Sequence, residues 1–137
     1  MLRGLTTVNY FADDVAAARD WYTEVLGVEA YFARPVDGTP AYVEFRIGDH
    51  QHELGILDRR YAAHDHAGTP AGAMIYWAVD DLRATVDRLL ALGATVHQEA
   101  IEHGPGFVTA SVVDPFGNVL GVMYNQHYLD TVEPVGA

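Results

Sequence analysis

Thr7-Val8-Asn9-Tyr10-Phe11-Ala12-Asp13-Asp14-Val15 and Met74-Ile75-Tyr76-Trp77-Ala78-Val79-Asp80-Asp81-Leu82 are two spellings of one pattern, 67 positions apart. Each copy runs through an Ala/Leu-rich stretch to a glycine, Gly27 or Gly93, where the spacing has become 66. Further on, Leu54-Gly55-Ile56-Leu57 matches Leu120-Gly121-Val122-Met123 at the same spacing. A repeat of this length is a supersecondary unit used twice. It predicts a sheet built from two similar halves, with a ligand pocket where the halves meet.

Working outward from the first copy, the β-branched and aromatic residues 5–11 read as a strand, and Asp13-Asp14 offers an N-cap to a helix over 15–26. Val15, Ala18, Tyr22, Val25 and Leu26 recur at helical spacing, with Arg19, Asp20 and Glu24 on the other side and Gly27 as the stop. Strands are predicted over 28–34, 41–47 and 51–57, separated by Pro35-Val36-Asp37-Gly38 and Gly48-Asp49. That is a βαβββ unit, module 1, over about 3–58. Residues 59–72 read as a linker, rich in Arg, His, Gly and Pro. Module 2, about 73–126, repeats the order with a strand over 73–79, a helix over 82–92, and strands over 94–99, 107–113 and 118–125. The turn Asp114-Pro115-Phe116-Gly117-Asn118 joins the last two. Residues 1–130 form a single domain in this reading, and 127–137 form a tail without periodicity.

The bulk numbers bound the function. A chain of 137 residues, 50% hydrophobic and 20% charged, can bury one core. Zero cysteines exclude disulfides, thiolate metal sites and cysteine nucleophiles. With 8 Lys+Arg against 19 Asp+Glu the net charge is −11, which opposes a nucleic-acid backbone and favours cationic ligands. The apolar runs are short and no basic segment precedes one at the start, so neither a membrane partner nor a secretory signal is expected, and a cytoplasmic location is.

The repeat, the helix end Asp20-Trp21-Tyr22-Thr23-Glu24-Val25-Leu26-Gly27 and the Asp114-Pro115-Phe116-Gly117-Asn118 turn together resemble the vicinal oxygen chelate superfamily. Glyoxalase I, extradiol dioxygenases, fosfomycin-resistance enzymes and bleomycin-resistance proteins belong to that group. The resemblance covers about residues 3–126. It implies an α+β fold of two βαβββ modules forming a curved mixed sheet around a cleft, commonly in a homodimer. It further implies a divalent metal held by His, Gln or Glu from the first and last strand of each module.

The matching positions here are Thr7, seven before Asp14, its repeat mate Met74, Gly121, seven after Asp114, and its mate Gly55. None suits the family's metal: glycine has no donor, a thioether is a poor ligand for hard ions, and a lone hydroxyl binds weakly. No metal or other cofactor is therefore expected. Two glycines in the interior of strands suggest that something approaches the backbone closely, a ligand or a bend in the sheet. On the ligand reading, leucine at Gly55 or Gly121 would fill a void.

By strand parity Thr7, Asn9, Phe11, Glu53, Gly55, Met74, Tyr76, Gly121 and Met123 form the predicted ligand-binding cleft. Glu53 is the candidate catalytic residue, as a general base or as a carboxylate gripping a cation. The opposite parity, Val8, Tyr10, Leu54, Ile56, Ile75, Trp77, Val79, Leu120 and Val122, should pack under the helices, as should Trp21 and Tyr22. Tyr42, Glu44 and Arg46 alternate with Val43, Phe45 and Ile47, and their side remains open at this point. His50 with His52 and His64 with His66 read as solvated loop histidines with no third donor spaced to complete a metal site.

The function expected is binding of a small organic ligand, cationic or aromatic, by a homodimer that lacks the usual metal ligands, as the bleomycin-resistance branch sequesters its ligand. The alternative is a divergent glyoxalase, isomerase or dioxygenase using Glu53 or a relocated metal.

Overall fold

The computed structural model describes residues 1, 3, 5–62 and 74–132. The chain divides into two compact units, Met1–Pro70 and Ala71–Ala137. Each is a four-stranded mixed sheet carrying one helix on one face.

In the first unit the order is β1 (Thr7–Ala12), α1 (Val15–Leu26), β2 (Phe32–Arg34), β3 (Tyr42–Ile47), β4 (His52–Asp58) and a 3-10 turn, Arg59–Tyr61. The strands lie in the order β1-β4-β3-β2, with β1 parallel to β4 and the rest antiparallel. The helix begins where the sequence predicts: the Asp14 carboxylate accepts from the Ala17 N–H at 3.0 Å, satisfying a donor that the helix leaves orphaned. It stops at Gly27, whose φ of +71° places it in the left-handed region. Val15, Ala18 and Tyr22 point at the sheet and meet Tyr10, Val43, Phe45, Leu54 and Ile56, all buried. Side chains of this size each contribute about 1.5 to 3 kcal/mol on burial, enough to hold a helix that propensity alone would not.

The second unit repeats the plan with β5 (Tyr76–Ala78), α2 (Leu82–Ala91), β6 (Thr95–Gly104), β7 (Phe107–Val113), β8 (Val119–Asn125) and α3 (Gln126–Val132). Its order is β5-β8-β7-β6, with β5 parallel to β8. Asp81 caps α2 through the Ala84 N–H at 3.0 Å. Leu89 from α2 joins Ala110, Val112, Leu120 and Val122 in the core. The turn after β7 is knotted by Asp114, which is buried and accepts from the N–H groups of Phe116 and Asn118 and from the Asn118 amide.

The registers make the repeat geometric: Asn9 lies opposite Gly55 and Tyr76 opposite Gly121. Core parity follows the sequence reading, with Tyr10, Leu54, Ile56, Leu120 and Val122 buried and Val8, Ile75, Trp77 and Val79 half-buried. Tyr22 is fully buried, while Trp21 is half-buried and meets the Tyr22 ring edge-on at 4.8 Å.

Several boundaries differ, and β5 keeps only Tyr76–Ala78 of the predicted 73–79. β2 keeps only three residues of the predicted 28–34, with Val28 exposed ahead of it. β6 runs to Gly104 instead of stopping near Glu99, because hairpin pairing with β7 carries the strand past the point where its own pattern fades. Residues 126–132, inside the predicted tail, are helical. Asn125 accepts from the Tyr128 N–H at 3.2 Å, and Gln126 donates to Asp130 one turn on. No residue of α3 is buried, so it has no apolar period for a sequence to display. Most of the predicted linker, 63–72, and residue 73 lie outside the described residues.

Candidate functional site

α1 covers one face of the first sheet and leaves the other free of helices. Thr7, Asn9, Glu53 and Gly55 lie on that free face, because β1 and β4 pair in register and Tyr10, Leu54 and Ile56 take the opposite side. Phe11 shares the face and is half-buried. The burial of Val43 and Phe45 settles the open question on β3: Tyr42, Glu44 and Arg46 join Glu53 and Gly55.

These side chains form two bonded groups on one face. Thr7 Oγ1 donates to Glu53 Oε2 at 2.6 Å. Glu44 accepts from two phenols, Tyr42 at 2.5 Å and Tyr31. The Arg46 guanidinium stands 4.4 Å over the Tyr31 ring, and Phe32 meets the Tyr42 ring at 6.2 Å. Burial pushes the Glu44 carboxyl above its usual range and the Glu53 charge pushes the same way, while Arg46 opposes both. Burial and Glu53 likewise raise the Tyr42 phenol, which keeps it a protonated donor. The arrangement offers two carboxylates walled by aromatic rings, which is suited to holding a cation or stacking a ring.

Gly55 sits on this face. A β-carbon there would fall on the Asn9 amide oxygen and 2.6 Å from the Tyr42 ring, so the space left by the glycine is taken by the unit's own side chains. Gly121 is covered similarly by the Ile75 carbonyl and the Tyr76 ring. Of the four positions that resemble the family's metal ligands, two are therefore donorless and roofed over. Among the described residues no group of three or more His, Cys, Asp or Glu side chains could hold a metal ion. The residues present do not fit the family's chelating site.

In the second unit Tyr76, Gly121 and Met123 share the helix-free face, with Met74 exposed just ahead of β5. Sequence reasoning missed two residues there. His97 Nδ1 lies 2.9 Å from Ser111 Oγ, and His103 Nε2 lies 2.8 Å from Thr109 Oγ1. β6 is broken by register shifts, so counting alternate residues could not place them. Tyr31 was missed because it precedes a three-residue strand in an irregular segment. His50 and His52 are exposed, with their rings 5.8 Å apart in the β3–β4 hairpin. His64 and His66 lie outside the described residues. The described cavity of about 410 Å³ lies beside α1, lined by Arg19, Asp20, Glu29, Tyr31 and Phe32 among others, away from Glu53 and Gly55.

The model of the Glyoxalase/Bleomycin resistance protein/Dioxygenase superfamily matches residues 4–122. The chain belongs to this superfamily. Solved structures agree on the fold. A lactoylglutathione lyase from Agrobacterium tumefaciens is 21% identical with a TM-score of 0.67, over 93% of this chain and 98% of that one. TioX from Micromonospora sp. ML1 is 18% identical with a TM-score of 0.65, over 89% and 98%. A family enzyme from Burkholderia phytofirmans PsJN is 19% identical with a TM-score of 0.66, over 86% and 95%. No curated protein matches the chain. This chain thus keeps the fold of the superfamily. No helix among the described residues is long and apolar enough to cross a membrane.

Proposed function

We propose that this superfamily member binds a small organic ligand, cationic or aromatic, without the family's metal chelation, on the face that carries Glu44 and Glu53. One observation supports the reading above the rest: the Glu44 carboxylate, held by the Tyr31 and Tyr42 phenols with Phe32 against the Tyr42 ring, lies opposite Gly55 on the face that also carries Glu53. The net charge of −11 favours cations by long-range attraction as well. Metal analysis of untagged protein, followed by a ligand-induced melting-shift screen, tests it. No stoichiometric ion, no response to a chelator and stabilisation by organic cations are expected; a tightly held ion at Gly55 or Gly121 overturns it. In the bound protein Glu53→Gln should weaken a cationic ligand by about 1 to 3 kcal/mol.

A second reading, an isomerase- or glyoxalase-type enzyme, draws support from the raised Glu44 carboxyl, since a general base works best with a pKa near the working pH. Turnover lost in Glu44→Gln or Glu53→Gln, with binding kept, would favour it. We further propose that the protein is a homodimer, because the sheets end in edge strands that a second copy can cover. A monomer mass by light scattering across the micromolar range would overturn that.

A further inference from the structure

The face of the second sheet opposite the core residues Ala110 and Val112 carries a cluster that the proposed function does not use. Thr109 and Ser111 are next-but-one residues on β7 and point away from the core residues Ala110 and Val112. Both hydroxyls are buried, at 5% and 1% exposure, and each is capped by an exposed imidazole, His103 and His97 respectively. The His103 ring lies against Phe107 at 4.9 Å. Phe107 and Tyr76 are both exposed aromatics on this sheet.

We propose that this face binds a small organic oxyanion with an aromatic or apolar body, gripped by the outward nitrogens of His97 and His103. The hydroxyls fix which nitrogens are available: Nδ1 of His97 and Nε2 of His103 are engaged, leaving Nε2 and Nδ1. A buried hydroxyl donates to a neutral imidazole and accepts from an imidazolium, so each pair stays bonded as the ring takes up a proton. When the hydroxyl donates, or when the ring is protonated, the outward nitrogen carries a hydrogen. Two such donors, anchored two residues apart on one strand, suit a carboxylate or phosphate group.

Between residues 74 and 132 the arginines are Arg83 and Arg88, both on α2, and lysine is absent, so His97 and His103 are the basic side chains of strands β5 to β8 and groups there that can donate to an anion. From β5 the titratable neighbour is Tyr76; β7 and β8 contribute Thr109, Ser111, Gly121, Met123 and Asn125, none of which titrates near neutrality. Glu99 and Glu102 share β6 with the histidines, and Glu102 pairs with Val108 on the other parity from Thr109. A metal is disfavoured because, among the described residues, no third donor completes a set with two imidazoles each already tied to a hydroxyl. Phe107, Tyr76 and Met123 supply a surface for the ligand's body.

The test is an NMR titration of the full chain with benzoate and with phenyl phosphate, following the histidine ring signals. The His97 and His103 signals should move while those of His50 and His52 stay still. Benzoate binding alone marks a carboxylate site, phenyl phosphate alone a phosphate site, and either supports the proposal. His97→Gln and His103→Gln should each weaken binding about tenfold, with the amide spectrum showing that the fold persists. Unmoved His97 and His103 signals, equal binding of neutral benzamide, or tight zinc binding by the pair overturn it. Imidazoles that serve only to satisfy buried hydroxyls would give variants that lose stability and wild-type signals that ignore both probes. Benzoate and phenyl phosphate are anions, so their binding is read independently of the organic-cation screen that tests Glu44 and Glu53, and either proposal can fail by itself.

Discussion

Tyr42 lies across the backbone of Gly55, its Oη and Cε2 each 2.6 Å from the place where a β-carbon on that glycine would stand. The equivalent Gly121 is roofed by Tyr76, with Cδ1 at 2.8 Å, and by the Ile75 carbonyl oxygen at 2.5 Å. Both glycines make room for an aromatic ring of their own unit. A leucine at either would displace that ring instead of filling a void.

The two crowded glycines should respond differently to alanine. At Gly55 the obstructing atoms belong to the Asn9 and Tyr42 side chains, which can swing aside, whereas at Gly121 one is a backbone carbonyl. Overpacking of this kind costs about 1 kcal/mol when the neighbours yield and about 3 kcal/mol when they do not. Urea denaturation should place Gly121→Ala as the costlier change, and Tyr42→Ala should offset most of the cost of Gly55→Ala. Equal costs would mean that the Ile75 carbonyl moves freely.

Glu44 should make stability depend on pH in an unusual direction. Its carboxyl is held above the usual range by burial first and by Glu53 second. A raised carboxyl contributes fully below the ordinary glutamate value of about 4.3 and loses that contribution as pH rises through the higher folded value. Relative to Glu44→Gln, the wild type should therefore lose ground as pH rises from about 4.3 through the higher folded value. Melting curves of both proteins in half-unit pH steps check this, and parallel curves would refute it.

Asp58 should behave in the opposite sense. The Arg60 side chain donates to it from Nε and from Nη2 at 2.8 Å, and the Arg60 N–H donates at 2.9 Å, holding the carboxyl below its usual range. A lowered carboxyl stabilises the fold above the ordinary aspartate value of about 3.9, and this is lost as pH falls through the folded value. Arg60→Ala should shift acid unfolding to higher pH. An unchanged acid midpoint would count against the pairing.

Asp114 should matter for stability more than its place in a loop suggests. Replacing it with alanine leaves the Phe116 and Asn118 N–H groups without their carboxylate, at a cost of about 2 to 3 kcal/mol. Guanidinium denaturation of Asp114→Ala and Asp114→Asn, with the asparagine variant intermediate, is the check.

Much of this was legible in the residue order. The duplicated strand-cap-helix pattern, the caps at Asp14 and Asp81, the stop at Gly27 and the core parity of β1, β4 and β8 are local or periodic signals, and short-range physics acts on them wherever the chain lies. The candidate site was less legible. Which side Glu44 presents depends on Val43 and Phe45 meeting α1, and Tyr31 reaches Glu44 from outside any regular strand. His97 and His103 sit on a strand whose register shifts defeat counting by twos, so only pairing with β7 decides that they cap Ser111 and Thr109. The rings that roof Gly55 and Gly121 come from positions 42 and 76, and no rule of neighbouring residues connects 42 to 55 or 76 to 121. Sequence alone determined the periodic and capped elements because their energetics are local, and tertiary structure decided the site because its contacts join residues that only sheet pairing brings together.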